Sequence, residues 1–402
     1  MSSNDWEQRK LVDLVDRVTR KNQDLVSELP LTISAQYGLI DQNEFFDKRV
    51  ASKDVSGYYL IENGEFAYNK STSTDAPWGA IKRLDRYKNG VLSTLYIVFG
   101  IKENNPVDSD FLVSYYSTNL WHKGIHEIAA EGARNHGLLN IAPADFFETK
   151  LMIPQDIEEQ KKIGKYFEEL ERLITLHQRK CEETKTLKKY MLQKMFPQNG
   201  HSVPEIRFSG FTEDWEQRKF ADFTWDAGKR NKEDLDLEPY AITNEHGFIR
   251  QRDAHDDFGY MKDTDRKAYN IVQPNSFAYN PARINVGSIG YYKGVENVIV
   301  SSLYEVFQTD NYVNDRFLWH WLKSDEFPRW IAKLQEGSVR LYFYYDKLCE
   351  CQLYMPSLEE QEKIATFLDD LDHLITLHHR KQNYVLNTLI YAKTTLFITK
   401  TS

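Results

Sequence analysis

The sequence has few cysteines and no long apolar run. Only three of its 402 residues are cysteine, at positions 181, 349 and 351. Three cysteines are too few for the disulfide framework of a small secreted protein, so a reducing cytoplasm is expected. No run approaches the roughly 18 apolar residues of a membrane helix, and the opening MSSNDWEQRK lacks the apolar core of a signal peptide. The composition therefore predicts a cytoplasmic protein with no membrane partner.

The sequence also lacks a metal-binding pattern. Cys349 and Cys351 are close together, but a structural zinc ion needs about four ligands at compatible spacing. No second cysteine pair or nearby histidine cluster completes such a set. The favoured interpretation is two ordinary cysteines, and no metal is predicted.

Positive charge is not in excess. Lys and Arg number 51 against 60 Asp and Glu, for a formal net charge of -9, which excludes a uniformly basic, histone-like protein. Aromatic residues make up 13% of the chain, enough to build sizeable cores and to exclude disorder throughout.

Signatures of catalysis are weak. The chain has no phosphate-binding loop of the form Gly-x-x-x-x-Gly-Lys-Ser/Thr and no Gly-rich loop between a strand and a helix. Asn280-Pro281-Ala282-Arg283 half resembles the Asn-Pro-Pro-aromatic loop that holds a target amine, but the second proline and the aromatic are absent. The sequence therefore predicts no catalytic residue and no cofactor in this chain.

The chain does contain a repeat of its own plan. Asp5-Trp6-Glu7-Gln8-Arg9-Lys10 returns at 214–219, an offset of 209. Phe-Ala-Tyr-Asn at 66–69 returns at 277–280, Ser-Thr-Leu-Tyr at 93–96 as Ser-Ser-Leu-Tyr at 301–304, and Glu-Glu-Gln at 158–160 at 359–361. The two halves close on LITLHQRK (173–180) and LITLHHRK (374–381), where the offset is 201. Such self-similarity predicts two units with one plan.

Each half has two unlike parts. Residues 1–154 and 205–356 contain short apolar runs broken by turn residues, a pattern that predicts mixed β structure with a few helices. Residues 155–196 and 357–402 follow Pro154 and Pro356 and favour long helices, with a linker at 197–204. The predicted fold class is α+β: two mixed α/β domains with an internal repeat, separated by a long antiparallel two-helix coiled coil.

The seam of that coiled coil follows apolar spacings of three and four residues, which are typical of heptads. Its strongest positions are predicted to be partner-binding residues of the seam: Phe167, Leu170, Ile174, Leu368, Leu371 and Ile375.

Two similar domains on one spacer suit a target with two-fold symmetry. Duplex DNA has this symmetry, and a diverged repeat would read two different half-sites. The same arrangement would also suit a structural spacer or a two-headed protein-binding scaffold.

The motifs resemble those of a known family. The WEQRK opening, the PEIRFSGFTEDWEQRK restart, the ITNEHGFI and FAYNPARINVGSIG segments and the Glu-Glu-Gln helices are similar to the specificity subunit of type I restriction–modification systems. The resemblance covers essentially the whole chain, although the first half lacks the PEIRFSGF lead-in of the second. It implies two target recognition domains, at 1–154 and 205–356, that read a bipartite, asymmetric double-stranded DNA target in a bacterial or archaeal cytoplasm.

The resemblance also implies partners. Two methyltransferase (modification) subunits would dock on the helices and supply adenine-N6 methylation with S-adenosylmethionine. Restriction/translocase subunits, which use ATP and Mg, would complete the restriction enzyme. The chain itself would recognise DNA and perform no catalysis.

The candidate DNA-binding residues lie where matching loops differ after repeated strands, because base reading needs polar side chains at groove edges. The first loop follows Phe-Ala-Tyr-Asn, the second follows a repeated Glu-Gly pair, and a third patch at 229–232 is expected to clamp phosphates. The predicted set is Lys70, Ser71, Thr72, Ser73, Arg134, Asn135, His136, Lys229, Arg230, Arg283, Asn285, Ser338, Arg340 and Tyr342.

The negative charge is concentrated in the domains expected to bind DNA. Residues 1–154 carry 17 basic and 21 acidic groups, and residues 197–356 carry 19 and 25. We therefore expect narrow basic faces on otherwise acidic domains, and weak non-specific DNA binding by this chain without partners.

Overall fold

The computed structural model describes residues 6–34, 37–73, 76–103, 107–129, 134–135, 138–198, 200–244, 247–254, 266–335 and 341–398. The chain divides into two compact units. The first unit comprises the residues up to Gln178 together with those from Arg380 onward, and the second comprises Arg179–His379. Each long helix therefore contributes one part to each unit. The domain boundaries given above, at 154, 196, 204 and 356, stay a prediction.

The first unit is built of short strands with small helices between them. Its elements are β1 (Trp6–Lys10), α1 (Leu11–Leu14), β2 (Val15–Val18), β3 (Leu31–Ser34), β4 (Gly38–Asp41), α2 (Gln42–Phe46), β5 (Tyr59–Glu62), β6 (Phe66–Asn69), β7 (Ala80–Arg83), β8 (Asn89–Leu92), β9 (Ile97–Ile101), α3 (Ser109–Tyr116), α4 (Trp121–Ile128), β10 (Arg134–Asn135), β11 (Leu138–Leu139), α5 (Pro143–Phe147), β12 (Lys150–Pro154) and the beginning of α6 (Ile157–Lys194). An antiparallel sheet has the order β2-β9-β6-β7, and β1-β12, β3-β4, β5-β8 and β10-β11 form pairs.

The second unit repeats this construction. Its elements are β13 (Glu216–Lys219), β14 (Thr224–Asp226), β15 (Lys229–Arg230), β16 (Pro239–Thr243), β17 (Gly247–Arg250), α7 (Gln251–Ala254), β18 (Asn270–Val272), β19 (Ser276–Tyr279), β20 (Ile289–Tyr292), β21 (Val298–Val300), β22 (Glu305–Thr309), α8 (Asp315–Leu322), α9 (Glu326–Leu334), α10 (Tyr345–Glu350), β23 (Gln352–Met355) and α11 (Leu358–Lys393), whose last part belongs to the first unit. The sheet orders are β14-β22-β19-β20, β15-β18-β21-β16-β17 and β13-β23.

The two four-stranded sheets correspond strand for strand. The repeated Phe-Ala-Tyr-Asn segment contributes β6 to one and most of β19 to the other. In both sheets its phenylalanine faces a phenylalanine of the neighbouring strand: Phe66 stacks on Phe99 and Phe277 on Phe307, each pair at an interplanar angle of 8°. All four side chains are buried. The predicted repeat and the mixed α/β class are therefore confirmed.

The long helices pair in antiparallel fashion within each unit. In the first unit the Lys393 ammonium lies 2.8 Å from Glu171 Oε1, and Phe397 stacks on Phe167 at 5.9 Å. In the second unit Cys181 Sγ lies 3.8 Å from the Ile375 carbonyl, and Lys188 Nζ lies 2.6 Å from Asp372. In both units residue numbers rise along one helix and fall along the other, as the predicted antiparallel coiled coil requires.

The six predicted seam residues face the interior of the chain. Phe167, Leu368 and Leu371 are buried in the cores of their units, and Leu170 and Ile174 pack against the core of the first. Ile375 is half-buried. Five of the six thus pack within their own units, and a role of the seam in binding a partner subunit stays a prediction.

The repeated Glu-Glu-Gln motif attaches each helix to a domain. Gln160 is fully buried, accepts from Asp108 N at 2.8 Å and donates to the Pro154 carbonyl at 2.8 Å. Gln361 does the same with Asn314 N at 2.8 Å and Pro356 O at 3.0 Å. Since an unpaired buried backbone group costs about 1–3 kcal/mol, this glutamine holds each domain to the beginning of its helix.

The glutamate before this glutamine has different partners in the two units. In the second unit its partner comes from the PEIRFSGF segment, for which the first half has no counterpart. Arg207 makes a bidentate pair with the buried Glu360 at 2.7 and 2.8 Å. At the matching place in the first unit, Glu159 accepts from the Trp6 indole at 3.2 Å.

Candidate nucleic-acid interface

The first predicted loop is the tip of a β-hairpin in both units. Strands β6 and β7 pair up to Asn69 and Ala80, and Asn280 N donates to Ser288 O at 3.0 Å at the end of β19 and β20. The tips are residues 70–79 and 281–287. Each ends on a glycine with positive φ, Gly79 at +79° and Gly287 at +88°. The frame is thus repeated, whereas the tips differ in length and sequence.

The asparagine before each tip forms the same turn. Asn69 Oδ1 accepts from Ser71 N at 3.0 Å, and Asn280 Oδ1 accepts from Ala282 N at 3.0 Å. This side-chain turn directs the chain out of the strand without using ladder hydrogen bonds. Because the Asn280 amide oxygen is occupied in the turn, the geometry gives this asparagine a structural role and not that of holding a target amine.

The first predicted loop makes an equivalent backbone contact in both units. The Lys70 carbonyl accepts from Leu139 N at 3.0 Å, and the Pro281 carbonyl, at the matching position, accepts from Phe343 N at 3.1 Å. Leu139 and Phe343 are buried. An equivalent backbone hydrogen bond therefore joins the hairpin tip to the described residues that come after the second predicted loop in each unit.

In the second unit, polar side chains of the tip are open to solvent. Arg283 and Asn285 are both exposed, and the Arg283 guanidinium makes no hydrogen bond or ion pair with the residues that the structure describes. Tyr342 stacks on the half-exposed Tyr344 with ring centroids 5.5 Å apart. Arg283, Tyr342 and Tyr344 line one cavity of about 540 Å³. Free guanidinium donors beside a flat aromatic surface form a surface that can contact base edges.

The corresponding tip of the first unit is less open. Lys70 is half-buried and donates to the Ile141 carbonyl at 3.4 Å, and burial lowers the pKa of its ammonium group. The Ser73 hydroxyl accepts from Ala76 N at 3.1 Å within the tip. Ser71 is exposed and Thr72 is half-buried. Lys70 and Ser73 thus help to hold the tip, and Ser71 is the more accessible member of this set.

The third predicted patch combines exposed cations with one buried asparagine. Arg230 donates to the carbonyls of Ala268 at 2.6 Å and Ser302 at 3.2 Å, which ties it to its own unit. Asn231 is fully buried and its amide bonds to the Leu235 backbone, so it is not part of a DNA-facing patch. Lys229 remains exposed. Because Asn231 is buried, the patch presents fewer polar side chains than its sequence suggests, and the phosphate clamp stays a prediction.

Several predicted residues cannot be placed. His136, Ser338 and Arg340 lie outside the described residues, and Arg134 and Asn135 form strand β10. Their roles stay predictions.

Sequence reasoning missed two side chains beside the second tip. Leu303 is 76% exposed and Glu305 is half-buried, and both line the cavity that contains Arg283. Burial raises the pKa of Glu305, and the nearby Asp226 and Asp346 raise it further. At the matching turn of the first unit Leu95 is 54% exposed. The repeated Ser-Thr-Leu-Tyr and Ser-Ser-Leu-Tyr motifs were the available signal, since an apolar residue at a repeated turn is not needed for a core.

Gly79 closes the first tip in a conformation that other residues do not fit. A Cβ at this position would lie 2.1 Å from the Asn69 carbonyl oxygen, and its φ is in the left-handed region. We expect Gly79→Ala to destabilise the first unit by about 2 kcal/mol and to distort this tip alone. Urea unfolding checks the effect. Gly57→Ala, where a Cβ meets nothing within 4 Å, is the matched control and should change stability by less than about 0.5 kcal/mol. Equal losses in the two variants would contradict this account of the tip.

One group of described residues has metal-ligand character. His320, Asp369 and Asp372 have ligand atoms within 4.8 Å of one another. Both carboxylates already pair with cations, Asp369 with Arg316 at 2.9 Å and Asp372 with Lys188 at 2.6 Å. Added positive charge would be repelled there, so the group is better explained as an ion-pair network that joins α8 to α11.

Cys349 and Cys351 lie in different environments. Cys351 is buried in the core of the second unit and its pKa is raised by burial, whereas Cys349 is half-buried. This placement agrees with two ordinary cysteines.

The architecture, two domains of one plan with antiparallel long helices, defines a class of repeated α+β proteins with coiled-coil segments. A model of the family "Type I restriction modification DNA specificity domain" matches residues 4–186 and 212–387. The chain belongs to this family.

The chain is also similar to individual proteins. The chain is 22% identical over 405 residues to the type I restriction enzyme MjaVIII specificity subunit of Methanocaldococcus jannaschii, with 95% of this chain and 89% of the relative covered. The crystal structure of the type I restriction–modification system S subunit from M. genitalium is similar in fold, with a TM-score of 0.61 at 12% identity over 99% of this chain and 97% of that one. The HsdS subunit from Thermoanaerobacter tengcongensis has a TM-score of 0.45 at 16% identity, with 98% and 96% covered. Among the described residues, no helix is both long and apolar enough to cross a membrane.

Proposed function

We propose that this chain is the DNA sequence-specificity subunit of a type I restriction–modification complex and reads a bipartite, asymmetric target with its two domains. The observation that carries the proposal is the repeated hairpin frame with unlike tips. Asn69 and Asn280 form the same turn, and an equivalent backbone bond links each tip to Leu139 or Phe343, yet the tips have different residues. A common frame with different contact residues is what two readers of different half-sites need.

The proposal includes partners that supply the chemistry. Two methyltransferase subunits would bind S-adenosylmethionine and methylate adenine N6, and restriction/translocase subunits would use ATP and Mg. This chain would assemble them and do no chemistry itself. The occupied amide oxygen of Asn280 supports this division, because the only sequence resembling a target-amine loop serves a turn.

A surface for a partner is present on the last part of α11. Leu389 on this part of the helix is buried in the core of the first unit. One pair of exposed apolar side chains lies on each flank of the helix, Tyr384 with Tyr391 on one and Leu386 with Ile390 on the other. Exposed apolar side chains grouped on one helix favour protein–protein contact. We assign these two flanks to contacts with a methyltransferase subunit.

The proposed function is tested by mapping methylated adenines in cells that carry the methyltransferase partner with and without this chain. We expect a two-part asymmetric motif that appears only with the chain. An identical methylation pattern in its absence would contradict the proposal.

A further inference from the structure

A second cavity of the second unit is lined by cations and aromatic rings. It has a volume of about 550 Å³, and its walls include Lys293, Arg316, Lys323, Trp319, Tyr291 and Asn244. No acidic side chain is among the described residues that line it. This is unusual in a segment, 197–356, that carries six more acidic than basic groups.

The cavity is built by one helix face and the end of a strand. Arg316, Trp319 and Lys323 follow one another at spacings of three and four along α8 and its C-terminal residue, so they share a face. Lys293 directly follows β20. Lys323 Nζ lies 4.7 Å from the Trp319 ring centroid, and the Arg316 guanidinium lies 5.7 Å from that of Tyr291. The aromatic rings thus hold the charged groups in place.

Two of the three cations lack a counterion. Arg316 pairs with Asp369 at 2.9 Å, but Lys293 and Lys323 make no ion pair or hydrogen bond with any residue that the structure describes. Burial lowers the pKa of both lysines. Arg316 lowers the pKa of Lys293 further, although Asp369 and Asp372 act in the opposite direction, and Lys188 lowers the pKa of Lys323 further. An anion in the cavity would remove this repulsion.

The first unit has a different residue at the position of Lys323. The residue that ends α3, at the position of Lys323, is Ser117. It accepts from Lys393, which also pairs with Glu171. The lysine that ends α8 is therefore particular to the second unit and does not follow from the shared fold.

The cavity adjoins the second hairpin tip. Asn244 lines the cavity, and a Cβ on Gly287, the last residue of the tip, would lie only 2.3 Å from its amide oxygen. Lys293 lies six residues beyond Gly287, roughly 20 Å along an extended strand. One helical turn of duplex DNA spans about 34 Å, so features roughly 20 Å apart can contact the same turn.

We propose that this cavity binds phosphate groups of the DNA backbone through Lys293 and Lys323 while the adjoining tip contacts bases. The inference rests on the proposed function and locates the narrow basic face that the acidic composition requires. An ammonium group contacts phosphate without reading sequence, so the clamp contributes affinity and register to recognition.

The test measures the salt dependence of specific DNA binding by the complex of this chain with its methyltransferase subunits. In a plot of the logarithm of the DNA association constant against the logarithm of the salt concentration, each phosphate contact adds about 0.9 to the steepness of the slope. One contact therefore contributes about eightfold in affinity at 0.1 M salt, relative to 1 M salt. We expect Lys323→Ala to lower the slope by about 1. The double variant Lys293→Ala/Lys323→Ala should lower it by about 2 and weaken binding roughly 60-fold at that salt. The methylated motif should be unchanged.

Lys333→Ala is the matched control. Lys333 lies 4.7 Å above the Trp330 ring in the same unit but lines a different cavity, so it reports the loss of a lysine–tryptophan contact alone. Its slope should equal that of the wild type.

Three results would overturn the clamp. The slope of the double variant could be unchanged although the wild-type complex binds specifically. The double variant could lose a methyltransferase subunit in size-exclusion chromatography, which would assign the cavity to an acidic protein segment. A wild-type complex with no preferred duplex would contradict the proposed function, and the clamp with it.

Discussion

Asp369→Ala is expected to lower the free energy of unfolding of the second unit by about 3 kcal/mol. The Asp369 carboxylate accepts from Arg316 Nε at 2.9 Å and lies 3.0 Å from Nε2 of His320. His320 is fully buried, and the Arg316 side chain is 20% exposed. Removing one partner of a buried ion pair costs about 3–5 kcal/mol, and the low end applies because Asp369 is a third exposed.

The measurement is urea unfolding followed by tryptophan fluorescence, since five of the eight tryptophans lie in the second unit, at 215, 225, 319, 321 and 330. Asp370→Ala is the matched control, because Asp370 is the exposed neighbour on the same helix. Comparable losses in the two variants would show that Asp369 is not a structural link between α8 and α11.

The ion pairs and hydrogen bonds of Asp369 also predict how the stability of the second unit changes with pH. Hydrogen bonds from His320 and Arg316 hold the pKa of Asp369 well below its usual range, and burial lowers the pKa of His320. The stability that comes from neutral, buried His320 is fully present above pH 6.5, which is about the pKa of histidine in the unfolded chain. Below that pH the unfolded chain binds a proton that the folded chain does not bind, so the free energy of unfolding falls. The Asp369 contribution persists down to about pH 4 and is lost below it. Stability of the second unit should therefore fall on acidification from pH 7, and a rise would contradict the network.

A double variant of the second tip, Arg283→Ala/Asn285→Ala, is expected to weaken specific binding by about 2–6 kcal/mol. Both side chains are exposed on a tip whose backbone is held by the Asn280 turn, so their removal leaves the frame intact. A good bidentate contact to a base edge contributes about 1–3 kcal/mol of discrimination. The loss should be concentrated at the base positions read by this tip.

Binding of the complex to its own duplex and to single-base variants checks this expectation. Unfolding of the double variant should match the wild type within about 0.5 kcal/mol, which separates recognition from folding. A uniform loss on every duplex would instead assign both residues to phosphate contact.

Much of the framework followed from repeated motifs. The Phe-Ala-Tyr-Asn repeat predicted equivalent strands before unlike loops, and the structure has β6 and β19 there with tips at 70–79 and 281–287. The Pro and Glu-Glu-Gln signals together with three-and-four spacing predicted the helices now seen at Ile157–Lys194 and Leu358–Lys393. These features are local or periodic, and such patterns are readable along a chain.

Long-range contacts were not readable in this way. The charge of Arg230 suggested a phosphate clamp, but its carbonyl partners Ala268 and Ser302 lie 38 and 72 residues away. The basic cavity likewise combines residues near 244, 293 and 316–323, which no spacing rule relates. The position of a basic face in an acidic protein depends on such contacts, so the sequence could predict that narrow faces exist and not where they lie.

The central claim is that each hairpin tip reads its own half of one bipartite target. Its most direct test maps methylated adenines in cells with the methyltransferase partner and each of three chains: the wild type, Ser71→Ala/Thr72→Ala, and Arg283→Ala/Asn285→Ala. We expect the first double variant to relax one part of the motif and the second to relax the other, with the spacing unchanged. Relaxation of the same part by both variants, or an unchanged motif in both, would contradict the account.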